Sequence, residues 1–140
     1  MSTPAERYRD LGLLILRVGI GIMFLFHGLP KLAGGPAFWG QLGMATNFLG
    51  IGFAPTFWGF MSAIAESLGG LLLLTGFLFK PACLFLTLNM LVATSMHMGK
   101  GDGLMGASHA IEAGILFLSL ILIGPGRYSL DGRKCSTPTA

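Results

Sequence analysis

Four stretches of the chain are apolar for the width of a bilayer, and its polar residues gather mostly between them. A helix that crosses a membrane needs about 20 mostly apolar residues. The pattern predicts spans over 11–29, 56–79, 81–98 and 104–123. Residues 30–55 interrupt it with Pro30, Pro36 and Pro55 and the aromatics Phe38, Trp39, Phe48 and Phe53. Within them, Phe38–Leu49 reads either as a short amphipathic helix lying at the interface or as a loop with buried aromatics. Lys80-Pro81 predicts a tight turn, because proline cannot continue a hydrogen-bonded helix. Gly99 to Gly103 predicts a flexible one, and Gly124-Pro125-Gly126 ends the fourth span. In the first span Gly12 and Gly19, then Gly21 and Gly28, recur every seven residues, the spacing that lets helices approach closely in lipid. The expected fold is all-α: an integral membrane four-helix bundle, one domain over residues 1–140.

Composition agrees. Of 140 residues 53% are hydrophobic and 11% charged, against about 25% charged in a soluble domain. The net charge of +3 does not point to nucleic acid, since no basic stripe is interleaved with aromatics. The cations instead flank the spans. Arg7, Arg9, Lys80, Arg127, Arg133 and Lys134 fall on one side, Lys31 and Lys100 on the other. The positive-inside rule then puts both termini in the cytoplasm. The run from Leu11 is not followed by a small-x-small cleavage site, so it reads as an uncleaved first span. Cys83 and Cys135 show neither C-x-x-C nor metal-ligand spacing, and both are expected as free thiols toward the cytoplasm.

The ionisable residues inside the spans carry the chemistry. A charge at the centre of a membrane helix costs about 2.5 kcal/mol or more on insertion scales, so such a residue is paired inside the bundle or used. Counting about 1.5 Å of rise per residue from the cytoplasmic end, His27, His97 and His109 all fall roughly 24 Å deep. Glu66 and Glu112 fall at roughly 20 Å, and Arg17 and Asn89 form an inner layer at roughly 9–12 Å. All are expected to face the interior, His109 and Glu112 sharing one helix face. The order His then Glu occurs twice along the chain, which suggests two similar hairpins.

Imidazoles and carboxylates at one depth can relay protons, hydrogen-bond a quinone or bind a metal. His-x-x-Glu occurs once and no metal-ligand motif is complete, so no metal is expected. Each residue also has a plainer role. Glu66 can pair with a basic residue on a neighbouring helix. His27 and His97 can cap span ends, Arg17 can snorkel or meet a deeper acid, and Asn89 can bridge helices.

Three segments resemble one family. Leu16-Arg17-Val18-Gly19 leads to Phe26-His27-Gly28 and Lys31-Leu32. Glu66 is followed by Gly69-Gly70 and Leu71 to Gly76. Gly124-Pro125-Gly126-Arg127-Tyr128-Ser129-Leu130-Asp131 closes the chain. These resemble the DoxX family of small four-helix bacterial membrane proteins, with Lys80 where that family more often has arginine. The resemblance implies a membrane part of a quinone-linked oxidoreductase, or a membrane partner of oxidative-stress proteins, and transfers no catalytic residue. Three functions follow. The first is a membrane subunit of a redox system, holding a quinone or other carrier near Glu66, His97, His109, Glu112 and His27. The second is a non-catalytic scaffold or assembly partner, and the third a proton-coupled transporter. Expected partners are the lipid bilayer and either a redox protein or a second copy of the chain. No motif assigns catalysis to the chain alone.

Overall fold

The computed structural model describes residues 3–134, and Cys135 lies outside them. Within that range every regular element is helical. Helix α1 (Pro4–Ala33) begins earlier than hydropathy alone predicts, because its start is chemically specified. Thr3 accepts from the Glu6 N–H, Glu6 reaches back to the Thr3 N–H, and Pro4 occupies the first turn. Its 30 residues span about 45 Å, longer than a bilayer's hydrocarbon core.

The interrupted region folds as a short helix, α2 (Gly35–Gly43), and a 3-10 segment, Met44–Leu49. Thr46 Oγ1 reaches both Gly43 O (2.9 Å) and Ile51 O (2.8 Å) and holds that segment closed. Helix α3 (Pro55–Thr75) follows, then α4 (Phe79–Lys100), α5 (Gly103–Ile123) and a terminal turn of helix, α6 (Leu130–Lys134). Four of these helices, α1, α3, α4 and α5, are long and apolar enough to cross a membrane.

The turn expected at Lys80-Pro81 lies earlier. Gly76, at φ 66°, ends α3 and donates to Leu72 O. Pro81 falls instead in the first turn of α4, where a missing N–H costs nothing.

Helix α1 packs on α3 through backbone-close glycines. A Cβ on Gly21 would stand 2.8 Å from the Leu74 Cβ, and one on Gly70 would stand 3.0 Å from the Gly21 carbonyl oxygen. Helix α4 packs on α5, with Phe79, Leu86 and Met90 against Ala110, Ala113 and Phe117. Helices α1 and α5 meet mainly through side chains, Phe24 edge-on to Phe117 at 4.9 Å.

At the end carrying both termini the tail closes the bundle. Asp131 accepts from the Phe79 N–H (2.9 Å), capping α4, while its own N–H donates to Gly76 O. The Arg127 N–H donates to the buried carboxylate of Asp10 (3.3 Å). Arg17, 1% exposed, donates to Leu74 O (3.2 Å) and Tyr128 O (2.8 Å). Its charge therefore rests on the carbonyl end of α3, where the helix dipole favours a cation, and, among the described residues, on no carboxylate.

Candidate site: a polar cluster in the cavity at the loop end

At the opposite end, under α2 and the 3-10 segment, the bundle holds a cavity of about 480 Å3. Its walls are mostly apolar, with Phe24, Phe57, Trp58, Met61, Phe85 and Leu88 among them. Its polar centre is Glu66, 4% exposed. Glu66 Oε1 accepts from Lys31 Nζ (2.7 Å) and from Asn89 Nδ2 (2.9 Å), and Oε2 lies 2.7 Å from the same ammonium. The Lys31 side chain is 28% exposed, so the pair is buried on its acidic side and open on its basic side. Three helices meet there: Lys31 on α1, Glu66 on α3 and Asn89 on α4. They meet because Gly28, one turn before Lys31, lets the α1 backbone lie directly on Glu66 and Ser67.

Two of these residues were not legible as partners. Lys31 stands at the end of the first span, a position that reads as a topology signal; its spacing of one turn from His27 was the available clue. Asn89 does not share a layer with Arg17. Since α3 stops at Thr75, Glu66 is nine residues from the end of its helix and Asn89 ten from the start of the next, so the two lie level. Counting back from Lys80 had placed Glu66 about a turn and a half too deep.

The histidines surround the cavity. His27, His97 and His109 all line it. His97 Nδ1 lies 2.7 Å from Asp102 Oδ2; in the neutral tautomer that donates Nδ1–H to this carboxylate, Nε2 is an acceptor. His27 and His109 approach each other with ring centroids 6.1 Å apart. Both are exposed, on the flank between α1 and α5, rather than turned to the interior as expected. Glu112 does not join the cluster. It is exposed and outside the cavity, because the turn of α5 that aims Ala110 and Ala113 at α4 aims Glu112 outward. The repeated His-then-Glu order thus gives one buried and one exposed acid. Among the described residues no group of three or more His, Cys, Asp or Glu side chains could hold a metal ion. Cys83 is buried in the α4 core, away from the cavity lining.

The site can therefore accept a ligand with an apolar body and a neutral polar head. Lys31 and Glu66 cancel each other's charge, so a charged head would lose hydration without an opposite charge to replace it. A neutral one can take a hydrogen bond from the open side of Lys31 or from the Asn89 amide.

The chain is 31% identical to the uncharacterized membrane protein Rv3486 of Mycobacterium tuberculosis, over 89% of its own length and 82% of that protein's. No solved structure matches it. The DoxX family model matches residues 12–98, a segment that runs from the first span through the whole Lys31–Glu66–Asn89 cluster. With four apolar helices of spanning length beside that match, this multi-pass membrane protein belongs to the DoxX family.

Proposed function

We propose that the chain is the membrane subunit of a redox system and that its cavity takes the head of a neutral, lipid-soluble carrier of quinone type. The observation behind this reading is the cavity of about 480 Å3, within the usual range for small-molecule sites, with its charge-balanced polar cluster inside apolar walls. The excess of cations at the terminal end supports a topology with the termini in the cytoplasm of a bacterial inner membrane and the cavity toward the outer leaflet. The open Lys31 ammonium can donate to a carbonyl oxygen of the head, and His97 Nε2, in the neutral tautomer with Nδ1–H toward Asp102, can accept the O–H of its reduced form.

The test uses detergent-purified full-length protein. Bound quinone is extracted and identified, and a short-chain quinone is titrated while the fluorescence of Trp58, which lines the cavity, is followed. Saturable quenching is expected in the wild type, weakened about tenfold in Asn89→Leu, since one hydrogen bond to the head is worth roughly 1.4 kcal/mol. No bound quinone, together with equal unsaturable quenching in both proteins, would overturn the reading. A scaffold role would then stand, for which the clasp of α1 on α3 by Lys31 and Glu66 is the supporting feature.

A further inference from the structure

Glu112 sits near the middle of α5, nine residues from Gly103 and eleven from Ile123, on the exposed side of the helix. No hydrogen bond or ion pair reaches its carboxylate from the described residues. Ionisable groups at that depth pair with one another or face a polar interior. Roughly 13 Å of helix separates it from the nearer end, more than a glutamate side chain can snorkel. A lone protein in lipid would leave this group against acyl chains.

The surface around Glu112 supplies its own complement. His109 lies one turn nearer the loop end on the same flank of α5, and His27 lies beside it on α1. Both imidazoles are exposed and can donate a hydrogen bond to a carboxylate. Helix α1 is open outward as well: a Cβ on Gly12 or Gly19 would meet nothing within 4 Å. Small residues seven apart on a lipid-facing side allow a second helix to come close.

We propose that the α1/α5 face is the interface between two copies of this chain, with Glu112 of each copy paired to the imidazoles of His27 and His109 on the other. A twofold axis along the membrane normal preserves depth, so Glu112 meets His109 of the second copy only about one turn away along the axis, within side-chain reach. The pairing is reciprocal, as a twofold contact requires. The second copy also covers the flank where His27 and His109 line the cavity, leaving the side lined by the exposed Phe85 and Leu88 open to lipid.

The experiment counts photobleaching steps of singly labelled full-length protein in liposomes at dilute protein-to-lipid ratios. The wild type is expected to bleach mainly in two steps and Glu112→Leu mainly in one. Leu91→Ala, on an exposed position of α4, is expected to bleach like the wild type. Glu112→Leu replaces a charge with an apolar group on a lipid-facing position, so it should unfold no earlier than the wild type, which separates loss of pairing from loss of fold. Single-step bleaching of the wild type at every density, or a Glu112→Leu protein as dimeric as the wild type, would overturn the proposal.

Discussion

Replacing Gly28 with alanine tests whether the Lys31–Glu66 clasp depends on backbone contact between α1 and α3. The added Cβ would meet the Ser67 backbone nitrogen first, and would stand 2.6 Å from the carbonyl carbon of Glu66 and 2.7 Å from the Ser67 Cα, where ordinary contact begins at 3.4 Å. The shortfall is at least about 0.8 Å, and all three neighbours are backbone atoms that cannot rotate away. Helix α1 must therefore retreat, and the 2.7 Å contact between Lys31 and Glu66 stretches toward about 3.5 Å unless the lysine follows. Overpacking of this kind costs on the order of 2–3 kcal/mol, which is about two decades in the unfolding equilibrium constant. Unfolding in mixed micelles titrated with SDS, followed by helical circular dichroism, reads it. Gly114→Ala is the internal control: the same change, in another spanning helix, places its Cβ at an ordinary 3.5 Å from the Met90 Cβ. It should be neutral or up to about 1 kcal/mol stabilising. Equal stability of Gly28→Ala and Gly114→Ala would refute the close approach of α1 to α3.

In the same titration, Lys31→Met should cost about 3 kcal/mol because it strands a buried carboxylate. The double variant Lys31→Met/Glu66→Leu should lie nearer the wild type than the sum of its singles, with a coupling of roughly 1–3 kcal/mol; strict additivity would show that the pair is not formed. Asp131→Ala removes the acceptor of the Phe79 N–H and should cost about 1 kcal/mol. It should also speed proteolysis of the tail after Gly126, and unchanged cleavage would argue against the latch.

The spans were legible because bilayer thickness imposes a run of apolar residues that composition alone reveals. Their ends were less so. The start of α1 depends on Thr3 and Glu6 capping each other, and the end of α3 on a left-handed glycine at Gly76 rather than on Pro81. That error of a few residues propagated into depth, which is why Asn89 was placed beside Arg17 instead of beside Glu66. Depth fixes a level, not a direction. Glu66 and Glu112 look alike in hydropathy, and only the helix phase set by Gly69 and Gly70 on α3, or by Ala110 and Ala113 on α5, decides which acid turns inward. Lys31 was hidden for a related reason: a lysine at a span end reads as an orientation signal until the neighbouring helix is seen to bring a carboxylate to it.

The position of Arg17 gives the fold an order in time. Its guanidinium enters with the first span, but its acceptors lie 57 and 111 residues later, on Leu74 and Tyr128. During synthesis the first span therefore carries a positive charge that nothing yet synthesised can satisfy. Only when the tail has emerged and folded back over α3 does that charge gain its second acceptor, the Tyr128 carbonyl. A chain released before residue 128 would keep all four apolar helices but lack the Tyr128 acceptor, leaving the buried guanidinium with only the Leu74 carbonyl at the end of the bundle that carries the termini.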